Sequence, residues 1–258
     1  MCLILFAWKV RADMPLIVAA NRDEWHQRPA AAAAWWPEHP DLLAGRDLQA
    51  GGTWLGVTRT GKFAAITNFR DPSRLVVNAP KPPSRGQLVV DYLRGEQTPH
   101  QYLEDLSLRH GDYNGFNLLV GDIENLLYYS SVDHKIEVVP PGIHGLSNRA
   151  LNTSWPKVEI GKSSLGGAIE TEVAESAIPA RLLAILSSAR GAADNLLPDT
   201  GVGLEWERKL SPALIISPDY GTRCSTIFIA KRDTSSFIEH TRNPLGAVVS
   251  SAYFDYEH

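Results

Sequence analysis

The sequence predicts an α+β fold in a single domain over residues 1–258. Strand-like runs open and close the chain while helical patterns fill its middle, and no repeat or linker divides it. Hydrophobic residues make up 44% and charged residues 21%, enough apolar material for a sizeable core. Each strand block is expected to form a sheet, one packed on the other, with helices outside.

The elements follow in order. Cys2–Lys9 is an apolar run that reads as a buried strand, and Pro15–Asn21 is a second, with Asp13-Met14-Pro15 as the turn between them. Arg28–Pro40 is alanine-rich with Trp35 and Trp36, shows little periodicity and reads as a loop. Thr53–Arg59 and Lys62–Asn68 form a hairpin around Thr60-Gly61. Ala79–Ser84 is proline-rich and reads as extended and exposed. Gly86–Arg94 and Pro99–Arg109 read as helices; Leu88, Val89, Tyr92 and Leu93 fall on one helical face. Phe116–Val120 and Leu126–Ser130 flank the turn Gly121-Asp122, and Lys135–Val139 extends that sheet. Pro156 suits the first turn of a helix over Trp155–Gly161. A stronger helix spans Ile178–Arg190, with Pro179 at its start and Gly191 after its end. The chain closes with strands at Ala213–Ile216, Ser225–Ala230, Ser236–His240 and Ala247–Phe254.

Composition excludes several functions. The net charge of −4 provides no basic surface for nucleic acid. No apolar run reaches the roughly 20 residues that span a bilayer, and the short opening run lacks the basic flank of a signal peptide. Two distant cysteines, Cys2 and Cys224, make neither a disulfide framework nor a metal cluster, so no metal site is expected and the cytoplasm is the expected compartment.

Cys2 stands directly after the initiator methionine. If that methionine is removed, thiol and α-amine belong to one residue, and the amine can take the thiol proton without a histidine. The same position also suits a small buried hydrophobe opening a strand. Asn21-Arg22-Asp23-Glu24 closes the second strand: Arg22 has the fork for a carboxylate or phosphate, and Asp23 can orient an amine; a solvated turn with an Arg–carboxylate pair fits equally. Gly51-Gly52-Thr53-Trp54-Leu55-Gly56 is not a phosphate loop, since no Gly-Lys-Ser/Thr ending follows. It suits close backbone approach or a bulged strand start with a core Trp54. Asn68 ends the hairpin and Asn148 ends the stretch Gly145-Leu146-Ser147-Asn148, and amides at strand ends serve either as oxyanion donors or as turn residues. Arg223 is a candidate cation, either buried or ligand-facing.

Together these segments resemble one family. Cys2, Asn21–Glu24, Gly45-Arg46-Asp47, Gly51–Gly56, Thr67–Arg70, Ser84-Arg85-Gly86, Asn114-Gly115-Phe116-Asn117, Gly145–Asn148 and Tyr220–Thr226 occur in the order expected of the NRDE family, also called the transport and Golgi organisation protein 2 family. That family is similar in architecture to N-terminal nucleophile hydrolases, which implies a four-layer αββα sandwich of two antiparallel sheets. The resemblance implies Cys2 as nucleophile of an amidohydrolase or acyltransferase acting on the C–N amide or thioester bond of a small acylated substrate. It implies Asp23 and Arg223 as positioning groups and Asn68 and Asn148 as oxyanion donors. Asn21, Arg22, Glu24, Trp54 and Arg70 are the implied binding residues. The related hydrolases carry an arginine where this chain has Ala20, a departure. Hydrolysis needs no cofactor. The alternative is a non-catalytic protein that binds and carries haem or acyl-coenzyme A and other lipids. For haem, Met14, His26, His39 and His144 are the available axial side chains.

Overall fold

A computed structural model describes residues 2–72, 82–170 and 173–258. Its strands are β1 (Cys2–Trp8), β2 (Leu16–Trp25), β3 (Ala30–Trp36), β4 (His39–Asp47), β5 (Leu55–Thr58) and β6 (Phe63–Asn68). Helices α1 (Gly86–Arg94) and α2 (Pro99–Ser107) follow, then β7 (Phe116–Gly121), β8 (Leu126–Ser130), β9 (Lys135–Val138) and β10 (Gly142–Leu146). The remainder is α3 (Pro156–Ala168), α4 (Ile178–Leu186), α5 (Leu204–Leu210), β11 (Tyr220–Ala230), β12 (Thr234–Arg242) and β13 (Val248–Glu257). These make two antiparallel sheets flanked by helices, and the chain divides into two compact units.

The first unit takes residues 2–27, 140–147 and 151–256. Its sheet runs β10-β1-β2-β11-β12-β13. Every residue of β1 is buried, as expected of an inner strand covered on both faces. Leu3, Leu5 and Ala7 of β1 and Ile17 and Ala19 of β2 pack against Val158 and Leu165 of α3 and Leu182 and Leu186 of α4. The alternate positions, Cys2, Ile4 and Phe6, therefore face away from these helices.

The second unit takes residues 28–139, 148–150 and 257–258. Its sheet is a meander, β3-β4-β5-β6-β7-β8-β9, with α1 and α2 inserted between β6 and β7. Helix α1 buries Leu88, Val89 and Tyr92, and a capping box between Thr98 and Gln101 starts α2. The glycine-dense segment before β5 makes a close backbone approach. Gly51 has φ +80°, and a Cβ on Gly52 would lie 2.6 Å from the Gly86 carbonyl carbon at the start of α1. Backbone cannot yield as a side chain can, so Gly52→Ala is expected to lower stability by about 1–3 kcal/mol. Thermal melting checks this, and a melting temperature unchanged from wild type would refute the packing argument.

The structure corrects several sequence expectations. Arg28–Pro40 is not a loop: it holds β3 and the start of β4. Alanines give no contrast between buried and exposed positions, and β3 is an edge strand, so periodicity was silent. Ala213–Ile216 is not a strand; Leu214 N donates to Ser188 O (2.8 Å) and Ile215 O accepts from Thr222 N (2.9 Å) without a ladder forming. Helix α3 runs on to Ala168 past three glycines, of which Gly161 is required by packing: a Cβ there would meet Leu5 at 2.6 Å. Strand β10 and helix α5 were unmarked, one for its glycines and the other for its brevity. The extended reading of Ala79–Ser84 falls mostly outside the described residues.

Candidate functional site

The first unit gathers its polar residues where β1 begins and β2 ends. Cys2 pairs with Arg22 and Leu3 with Asn21. On the other side of β2, Thr222 pairs with Asp23 and Cys224 with Arg22, so Arg223 is the extra residue of a β-bulge. Cys2, Arg22 and Cys224 thus form a row across three strands, and residues directly opposite one another project from the same face.

Asp23 is 1% exposed. Its Oδ1 accepts from Thr222 Oγ1 at 2.7 Å, and its backbone carbonyl accepts from the Tyr220 hydroxyl at 3.0 Å. Thr222 Oγ1 is held in turn by Ile215 N at 2.9 Å. Burial pushes the Asp23 carboxyl up, while the Lys157 ammonium, the Thr222 hydrogen bond and Arg22 pull it down. Lys157 comes from α3, is buried and donates to Leu210 O at 2.9 Å.

Cys2 is 7% exposed, and Ser147 Oγ fixes its backbone by donating to Cys2 O at 3.0 Å. Burial raises its thiol and the Asp23 carboxylate adds to that, whereas Arg22 and the Asp23 backbone N–H act in the opposite sense. Burial, with the Glu239 carboxylate, raises Cys224 further. A group with a higher thiol pKa is the poorer nucleophile at neutrality.

The remaining predicted residues of this unit divide by role. Asn21 is fully buried: Nδ2 donates to Leu186 O (2.9 Å) and Ala213 O (2.8 Å), and Oδ1 accepts from Ser225 Oγ (2.7 Å). Ser225 Oγ accepts from Arg242 Nε at 2.8 Å. Asn21 thus ties β2 to the end of α4, a framework role where a binding role was expected. Arg223 Nη1 donates to Trp25 O (2.9 Å) and His26 O (3.1 Å), clamping the end of β2. Arg22 has an 11% exposed side chain; Nη2 lies 4.0 Å from Glu24 Oε2, and Nη1 is buried with no hydrogen-bond partner among the described residues.

Asn68, Arg70, Asn148 and Trp54 belong to the second unit. Asn148 Nδ2 donates to Asn68 O at 2.9 Å, and Asn148 O accepts from Arg70 N at 2.7 Å. Arg70 and Trp54 are buried. Asn117 supports the same region through Thr67 Oγ1 (3.2 Å), Arg149 O (3.0 Å) and the Tyr128 hydroxyl (2.6 Å).

Sequence reasoning missed Tyr220, Thr222 and Lys157 around Asp23. The first two lie inside the Tyr220–Thr226 motif and were legible there; no local signal points to Lys157. Of the side chains considered for haem, His144 uses both ring nitrogens, with Pro140 O (2.8 Å) and Asn152 Nδ2 (3.0 Å), and Met14 is buried in the core. As placed, neither fits an axial ligand. Among the described residues no helix is long and apolar enough to cross a membrane.

Two antiparallel sheets flanked by helices are the fold of the N-terminal nucleophile hydrolases. In fold the chain is similar to the solved structure of a Caenorhabditis elegans N-acylethanolamine-hydrolyzing acid amidase ortholog, with a TM-score of 0.50, 9% identity, and coverage of 88% of this chain and 92% of that one. The chain belongs to the Transport and Golgi organisation 2 family, whose model matches residues 1–244. It is 38% identical over 255 residues to the Bos taurus Transport and Golgi organization protein 2 homolog and 33% identical over 255 residues to the Homo sapiens one, with 90% of each chain covered in both cases.

Proposed function

We propose that the chain is a thiol-dependent amidohydrolase or acyltransferase with Cys2 as nucleophile. The observation that carries this reading is the site in the first unit: a cysteine at the head of β1, in register with Arg22, with the buried carboxylate of Asp23 close enough to act on its thiol. The amine-base mechanism requires Cys2 to be the first residue of the mature chain; Met1 lies outside the described residues.

The Cys2 α-amine takes the thiol proton, and the thiolate sulfur attacks the carbonyl carbon of an amide. The tetrahedral intermediate collapses, the C–N bond breaks, and the leaving amine takes the proton back from the ammonium. Water then cleaves the thioester and releases the acid. In this mechanism Asp23, which accepts from Thr222 Oγ1, keeps the ammonium charged and oriented. Burial raises the Cys2 thiol, and Arg22 and the Asp23 backbone N–H offset part of that rise.

Intact-mass measurement after incubation with an electrophilic acyl probe tests the reading. Wild type is expected to gain one acyl group and Cys2→Ala none. Equal labelling of both removes Cys2 as nucleophile, and Met1 retained in most molecules removes the amine as base. Tight ligand binding that survives Cys2→Ala without turnover indicates a carrier instead.

A further inference from the structure

We propose that Arg22 selects the substrate of the Cys2 site by receiving a carboxylate, so that the substrates are acyl compounds carrying an anionic group close to the scissile bond. This rests on the reading of Cys2 as nucleophile.

Arg22 carries a charge that is incompletely hydrogen-bonded. A guanidinium is a fork of five N–H donors that cannot be deprotonated in a protein. Arg22 keeps only 11% of its side chain exposed, yet its buried Nη1 meets no acceptor among the described residues. Removing a charge from water without hydrogen-bonding partners is costly, and natural proteins rarely leave such a group unexplained. Glu24 does not discharge the debt: its Oε2 is 4.0 Å from Nη2, beyond hydrogen-bond reach, and its Oε1 accepts from Trp25 N at 2.9 Å.

Position supplies the second half. Arg22 is the direct cross-strand partner of both Cys2 and Cys224, so its side chain shares their face. Arg223 adds a second cation close enough to act on the first electrostatically, with its Nη1 committed to the Trp25 and His26 carbonyls. The carboxylates of Asp23 and Glu24 balance the two guanidiniums in charge, so what the site offers a ligand is the unfilled N–H donor of Arg22. Arginine matches a carboxylate with two parallel N–H donors, which a lysine there would not offer.

Alkylation of Cys2 by iodoacetate and by iodoacetamide isolates the effect. In both reactions the thiolate forms an S–C bond and iodide leaves; the reagents differ only in carboxylate against amide. Rates at Cys2 are read by peptide mass, which separates it from Cys224, with N-acetylcysteine as the reference thiol. The iodoacetate-to-iodoacetamide rate ratio at Cys2 is expected to exceed the reference ratio by about tenfold, the effect of a modest charge pair. Arg22→Gln is expected to return it to the reference. Glu24→Gln, which removes the competing carboxylate, is expected to raise it further, and serves if Arg22→Gln does not fold. A wild-type ratio equal to the reference overturns the proposal. So does an Arg22→Gln variant that slows both reagents equally, since the arginine would then act on the thiolate alone. Failure of both reagents to modify Cys2 refutes the nucleophile reading itself.

Discussion

Replacing Asp23 by Asn is expected to slow acyl turnover by about a hundredfold or more while making the protein harder to unfold at neutral pH. The two effects share one cause. Asp23 is buried, so its ionised form is held at a cost to the fold. Asn keeps an oxygen for the Thr222 hydroxyl but carries no charge. The sign with pH follows from proton binding. An unfolded aspartate titrates near pH 4, and the folded one titrates higher. Between those values the native state holds a proton that the unfolded chain has lost, so wild-type stability falls as pH rises through that window. The stability advantage of Asp23→Asn over wild type is therefore expected to be absent below about pH 4 and to grow upward through the window. Denaturant titrations of both proteins at several pH values check this, and an advantage that shrinks as pH rises would contradict it. A kinetic readout separates positioning from mere structure. The Asp23 carboxylate raises the Cys2 thiol, so the variant's thiol should alkylate with iodoacetamide at lower pH even as turnover falls.

Asn21→Ala is expected to reduce unfolding free energy by about 4 kcal/mol, since two buried partners and one half-buried partner each lose a bond worth about 1–3 kcal/mol when left unsatisfied. Those partners are Leu186 O, Ala213 O and Ser225 Oγ. The loss should appear as a lower urea midpoint with folding retained at low temperature. Ser225→Ala removes a single contact to Asn21 and is expected to cost less. The double variant should cost less than the sum, because both residues belong to one network with Arg242. A midpoint unchanged by Asn21→Ala would show that β2 does not depend on this tie.

Asn21 and Asp23 show how far local pattern reaches. Both sit in one four-residue polar box, two positions apart, and the box alone assigns them to a common site. The folded chain gives Asn21 to the framework and leaves Asp23 beside Cys2, since their side-chain partners lie on distant segments: Leu186 and Ala213 for one, Thr222 for the other. Gly51–Gly56 is a similar case. The glycines announced a close approach, but the partner, Gly86, is fixed only by how α1 packs. Trp35 and Trp36 mark the opposite failure, where an alanine-rich edge strand carried no periodic signal at all.

Pattern alone settles that β1 and β2 are buried strands, that α1 and α4 are helices, and that a cysteine opens the fold. These are properties of short apolar runs and their flanking turns, which every neighbouring residue reports. The row Cys2–Arg22–Cys224 comes from the tertiary structure. It depends on β11 returning to pair with β2 and on one extra residue, Arg223, at the bulge. Because side chains alternate along a strand, that single residue decides which of them face the nucleophile. No local run of sequence contains that register, because it is set by contacts such as Tyr220 to Asp23, 197 positions apart.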